Sequence, residues 1–124
     1  WRDWVINAFN KNMHYDEFLT QQIAGDLMPN NNKSTILATA FWRNHKYTEE
    51  GGVIEEEYRV TNNIDKTRTY GKAILGVTIE CAQCHDHKYD PFTAKDYYQL
   101  YAFFNISKEK GSTNLKVRSQ KHEI

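Results

Sequence analysis

The stretch Glu80-Cys81-Ala82-Gln83-Cys84-His85-Asp86-His87-Lys88 holds both cysteines of a 124-residue chain. Two thiols with two residues between them, followed at once by an imidazole, have the spacing at which thioethers form with the two vinyl groups of a haem. The histidine then reaches the iron from the same side. A chain built on this motif must present both thiols together and fold around one large, flat, apolar group. His85 is the expected proximal ligand, and its other ring nitrogen is expected to donate to a carbonyl or carboxylate.

Two other chemistries use the same residue types. Zinc could take Cys81, Cys84, His85 and His87, but structural zinc usually draws its ligand pairs from separated segments, and four ligands within seven residues are cramped. A redox-active dithiol normally opens a helix after a strand in a thioredoxin-like pattern. Here the cysteines follow a long helical pattern instead.

The bulk properties narrow the rest. Sixteen basic and sixteen acidic residues cancel, which gives no footprint for nucleic acid or an anionic membrane surface. No apolar run approaches the roughly 20 residues that span a bilayer. Eight Tyr, six Phe and three Trp suit packing around a flat cofactor, and suit a plain aromatic core equally well.

The periodicity predicts an all-α chain of about five helices with irregular loops, packed around one covalently attached haem. Trp1, Trp4, Val5, Ala8 and Phe9 share one helical face. A second helix, capped by Asp16, carries Phe18, Leu19, Ile23 and Leu27 inward and stops at Gly25 and the run Pro29 to Asn32. Ser34 caps a third helix bearing Ile36, Leu37, Ala40 and Phe41, and residues 46–52 form a polar loop. The longest helix runs from Glu55 to about Glu80, with Tyr58, Ile64, Ile74, Leu75 and Thr78 buried. Its Gly71 and Gly76 are retained for close approach of a backbone or a flat ligand. Thr93 or Asp96 starts a last helix with Tyr97, Leu100, Tyr101 and Phe104 on one face. The domain is expected to span 1–106. Residues 107–124 read as a polar tail or the start of a further domain.

The sixth iron position has several candidates: His14, His45, His87, His122, Met13 and Met28. His87 lies too close to His85 in sequence to cross the haem plane, so a local hydrogen-bonding role in the turn from Asp86 to Asp90 is expected. His45 sits where a helix meets a polar loop and is the preferred second ligand, which makes the expected metal ligands His85 and His45. Arg43, Arg59, Arg68 and Lys72 are available to haem propionates, and for each of them an ordinary surface ion pair is the plainer alternative.

Cys81-Ala-Gln-Cys-His-Asp-His-Lys-Tyr-Asp-Pro91 and Lys95-Asp-Tyr-Tyr-Gln-Leu-Tyr-Ala-Phe-Phe104 together resemble the DUF1549 domain, also called the planctomycete cytochrome type 2 domain. Arg2-Asp-Trp-Val-Ile6, Ala24-Gly-Asp-Leu27, Arg43-Asn-His45, Glu50-Gly-Gly52, Glu56-Glu-Tyr-Arg59 and Ile64-Asp65 extend the resemblance over residues 1–106. The chain departs from it at His14, where Pro commonly precedes Tyr-Asp, and at Lys66-Thr67-Arg68, where Arg-Val-Asn is usual. The resemblance implies a fragment of a large multidomain protein, exported to the periplasm or beyond, in which this domain has a haem-linked redox role. Its partners would be a redox protein or further haem domains of the same parent chain.

The expected function is electron transfer through one c-type haem on Cys81 and Cys84. A catalytic haem domain acting on a small oxidant or a carbohydrate-derived substrate is the alternative, and a metal-stapled interaction domain is a third reading. If His45 is the second ligand, His45→Ala in the haem-loaded protein converts a low-spin spectrum to high-spin. An unchanged low-spin spectrum rejects the assignment.

Overall fold

The computed structural model describes residues 1–46, 48 and 50–106, and these residues form five α-helices, two 3-10 turns and one π turn, with no strand among them. The tail expected at 107–124 lies outside the described residues. Backbone contacts divide the chain into a first unit, Trp1–His45, and a second that begins at Lys46.

In the first unit, α1 (Arg2–Asn10), α2 (Tyr15–Ala24) and α3 (Lys33–Ala38) are followed by a 3-10 turn over Thr39–Arg43. Trp4, Ala8 and Ala38 form its buried centre, with Val5, Met13 and Phe18 packed against them. The Trp4 and Phe18 rings stack with centroids 5.5 Å apart. The apolar face predicted for α1 is therefore real but narrower than expected, because Phe9 is 74% exposed. On α2, Gln21 and Gln22 are buried while Ile23 and Leu27 are exposed, which reverses part of the predicted inward set.

The caps also differ by a residue or two from the sequence reading. Asn32, not Ser34, caps α3: its side chain accepts from the backbone N–H groups of Ser34 and Thr35, and the Thr35 hydroxyl returns a bond to Asn32. At α2 the position before the helix is His14, two residues ahead of the expected Asp16, which instead lies in the acidic first turn.

The second unit is built on α4 (Glu55–Tyr70), a π turn (Gly71–Leu75), a 3-10 turn (Ile79–Gln83) and α5 (Ala94–Asn105). The single helix expected from Glu55 to Glu80 is thus broken. Gly76 takes a left-handed conformation, φ 68°, and the carbonyl of Gly71 accepts from both Gly76 and Val77, so the chain turns back on itself. Ile79 then lies directly over Gly71: a Cβ on Gly71 would stand 2.3 Å from Ile79 Cγ2.

Ile79, Ala82 and Tyr97 form the buried apolar centre of this unit, with Val77, Phe92 and Leu100 against it. The face predicted for α5 holds, led by Tyr97 at 0% exposure. The buried set predicted for α4 does not. Asn63, Lys66 and Thr67 are the buried residues of that helix, while Leu75 and Thr78 are exposed. Asn63 reaches across to α5, donating from Nδ2 to Asn105 Oδ1 at 3.0 Å, and the Thr67 hydroxyl donates to the Asn63 carbonyl. Satisfied polar side chains therefore occupy positions where periodicity alone looked for apolar ones.

Adding one methyl group at Gly71 should be felt throughout this unit. Gly71→Ala is expected to lower unfolding free energy by about 2 kcal/mol or more, since Ile79 must move. Gly76→Ala should cost about 1 kcal/mol and Gly76→Asn less, because Asn tolerates the left-handed region. Urea unfolding measures both, and a Gly71→Ala loss below about 0.5 kcal/mol would contradict the close packing.

Candidate functional site

The two cysteines owe their placement to the pitch of the second 3-10 turn. With three residues per turn, side chains at i and i+3 lie one above the other. Ile79 and Ala82 occupy one face and are 2% and 0% exposed. Cys81 occupies another, Cys84 follows the turn as its C-terminal cap, and both thiols are free and exposed. The turn is closed at its start by the Cys81 N–H donating to the Thr78 carbonyl at 3.0 Å. An α-helix through this segment, as the sequence had suggested, would not eclipse residues three apart.

The third face carries Glu80 and Gln83, and both meet the end of α4. Arg68 Nη2 donates to Gln83 Oε1 at 2.9 Å. Lys72 Nζ pairs with Glu80 Oε1. Burial pushes the Glu80 carboxyl up, but Lys72, the backbone and the Arg68 charge outweigh it and hold the group below its ordinary value. The Tyr98 hydroxyl, on α5, donates to the Gln83 carbonyl at 3.0 Å, so this residue between the cysteines is held from both helices.

The two histidines of the motif do different work. His85 is exposed, and its Nδ1 lies 2.7 Å from the Asp86 carbonyl, a group that can only accept. That contact places the proton on Nδ1 and leaves the Nε2 lone pair open for a ligand bond, the arrangement expected of a metal-binding imidazole. The His87 side chain is 4% exposed. Its Nδ1 accepts the backbone N–H groups of Tyr89 and Asp90 at 3.2 and 2.8 Å, and its Nε2 lies 3.1 Å from the Thr78 hydroxyl. An Asp90 carboxylate oxygen is also 3.5 Å from Nδ1, but a nitrogen accepting two N–H bonds carries no proton, so this is proximity rather than an ion pair. His87 therefore holds the turn from Asp86 to Asp90.

The exit from the motif is fixed onto α5. Asp86 Oδ1 accepts from the Ala94 N–H at 2.9 Å. Thr93 and Asp96 form a reciprocal capping box, and the Thr93 hydroxyl and N–H keep the Asp96 carboxyl below its usual range.

Comparison with protein families gives a match over residues 1–109 to a family described as "PSCyt2: Protein of unknown function (DUF1549)". The chain belongs to the PSCyt2 (DUF1549) family. No curated protein and no solved structure matches it.

In this PSCyt2 domain the residues singled out from the sequence fall in distinct places. Cys81, Cys84 and His85 are each exposed, and Arg68 is brought to their loop through Gln83. Arg59 is not at that loop's contacts: it is exposed and makes a two-pronged bond to Glu56, one turn earlier on α4. His45 is half-buried and is the last residue of the first unit. Met13 packs in the core of that unit, and exposed His14 sits at the start of α2. Arg43 ends the first 3-10 turn and is exposed, while His122 lies outside the described residues.

With both His87 nitrogens engaged, a four-ligand zinc set from this loop cannot assemble without dismantling the turn. Among the described residues no three His, Cys, Asp or Glu side chains are grouped to hold a metal ion, and no helix is long and apolar enough to cross a membrane.

Sequence reasoning did not assign roles to Glu80, Gln83 or Tyr98. Their contacts span 8 and 15 residues, and depend on a turn type that periodicity did not reveal.

Acid should loosen this site in a defined direction. Glu80 and Asp96 both titrate below their unfolded values, so their stabilisation is complete above the unfolded carboxyl range near about pH 4. It drains away as pH falls through the lower folded values. Asp96→Asn should flatten the acid limb of a stability-against-pH curve followed by far-UV circular dichroism. An acid limb identical to that of the unaltered chain would contradict the assignment.

Proposed function

We propose that this domain is a c-type haem module for electron transfer in an exported protein. The observation that carries this reading is that both thiols, Cys81 in the 3-10 turn and Cys84 at its end, are free and exposed, and that the adjacent His85 has its Nδ1 held by the Asp86 carbonyl. The residues fit the group: Cys81 and Cys84 would hold it covalently, and His85 would bind its iron. A haem held there supplies one-electron exchange between ferric and ferrous iron.

The chain's own residues do the positioning. The Asp86 carbonyl fixes the His85 tautomer, and His87 with Asp86 keeps the following loop against α5. Arg68, beside the motif, is the better placed of the two proposed propionate partners; Arg59 is engaged with Glu56. The exposure of both thiols would leave an edge of the group open to a redox partner.

Expression with a haem-attachment system in an exporting host tests this. The mass should exceed that of the polypeptide by one haem, and Cys81→Ser with Cys84→Ser should abolish the increment. A low-spin spectrum indifferent to cyanide supports electron transfer, whereas ready cyanide or carbon monoxide binding replaces it with the catalytic reading. A mass equal to the bare polypeptide overturns both.

A further inference from the structure

The face of the cysteine turn opposite neither thiols nor core is its third, and it makes a repeating contact. Glu80 and Gln83 are three apart on a 3-10 turn, a rise of about 6 Å. Arg68, in the last turn of α4, and Lys72, in the π turn that continues it, are four apart, also a rise of about 6 Å. The two pairs meet in antiparallel order, Arg68 with Gln83 and Lys72 with Glu80, like the rungs of a ladder. Gly71 lies between the cations, and Ile79 packs onto it from the turn.

We propose that this two-rung ladder is a positioning device that sets Cys81 and Cys84 as a ready-made bidentate thiol site before any cofactor is attached. Three features point that way. The ladder fixes the rotation of the turn about its own axis, and with three residues per turn that rotation alone decides whether the i and i+3 thiols face outward together. A one-residue slip of the turn would bring either the Glu80 and Gln83 face or the face of Thr78 and Cys81 against Gly71. The second feature is Glu80 itself: its side chain is 22% exposed, and Oε2 is buried with no hydrogen-bond partner, so Lys72 is what compensates a partly desolvated charge. A carboxylate kept in that position constrains geometry more than an exposed pair would. The third is Gln83, whose side chain and carbonyl are held from α4 and α5 respectively.

The proposal deepens the haem reading of the same loop, but its first test is independent of haem. A trivalent arsenical such as phenylarsine oxide closes a ring through two thiols and so reports their relative placement. The reduced, unloaded chain should bind it tightly. Glu80→Ala with Gln83→Ala should weaken binding about tenfold, the loss expected when a preorganised pair must be ordered on binding. Glu80→Lys alone should weaken it similarly, and adding Lys72→Glu should restore it, because the rung is remade with its charges exchanged. That restoration is a result that general destabilisation would not give. The order of haem-attachment yields among these variants should follow the arsenical affinities.

Equal affinities for the unaltered chain and the double alanine variant would overturn the proposal. So would failure of the charge exchange to recover what Glu80→Lys lost while far-UV circular dichroism shows a folded chain. If arsenical binding follows the predicted order and no variant, nor the unaltered chain, takes haem, the ladder stands and the haem reading falls.

Discussion

Everything near the cysteines depends on how closely Ile79 can approach Gly71. A helix that ran straight from Glu55 to the motif would carry Cys81 about 39 Å along its axis, with no element to lie against. The π turn and left-handed Gly76 reverse the chain within a few residues, and the missing Cβ at Gly71 lets the next turn settle on the helix just left. Once Ile79 is seated there, the 3-10 pitch places Ala82 in the core, Cys81 and Cys84 outside, and Glu80 and Gln83 toward α4. One contact between a backbone and a branched side chain thus sorts three kinds of chemistry onto three faces.

The interior that supports this arrangement is unusually polar. In the second unit the fully buried apolar set is Ile79, Ala82 and Tyr97, while α4 contributes Asn63, Lys66 and Thr67. Hydrophobic burial is non-directional, and on its own it would tolerate several rotations of α4 against α5. The Asn63–Asn105 pair, which joins α4 to α5, is satisfied in only one such arrangement. That pairing fixes the register of α4 against α5 where a larger apolar core would leave it loose.

How much of this was legible beforehand follows from the range of each signal. The cap at Thr93 with Asp96, the Tyr97–Phe104 face and the local role of His87 are written within a few residues, and each was readable. So were the all-helical class and the family, the latter because its motifs recur along nearly the whole chain. The end of α4 was not. Gly71 and Gly76 were read as points of close approach inside one longer helix, but the residue that packs on Gly71, Ile79, arrives only after the chain has turned. The buried face of α4 was missed for a related reason: its apolar residues Ile64 and Leu75 suggested one face, and long-range polar pairing selected another. Cap positions slipped by a residue or two where Asn32 and Ser34 compete for the same orphan N–H groups.

His85 and His87 show why spacing alone underdetermines chemistry. Both are imidazoles in one short loop, and by residue type either could bind a metal. Two backbone N–H bonds to Nδ1 and the Thr78 hydroxyl at Nε2 consume the second histidine's whole hydrogen-bonding capacity. A single carbonyl at Nδ1 leaves the first with its opposite nitrogen free. The first is exposed and the side chain of the second is buried, and this follows from the loop's anchorage at Thr78 and Phe92 rather than from the imidazoles themselves. What selects one histidine as a candidate ligand and makes the other a structural pin is therefore the backbone around them. A variant that freed His87 from its turn would add a competing ligand beside the thiols and loosen the loop that presents His85, so the pin protects the selectivity of the site as much as its shape.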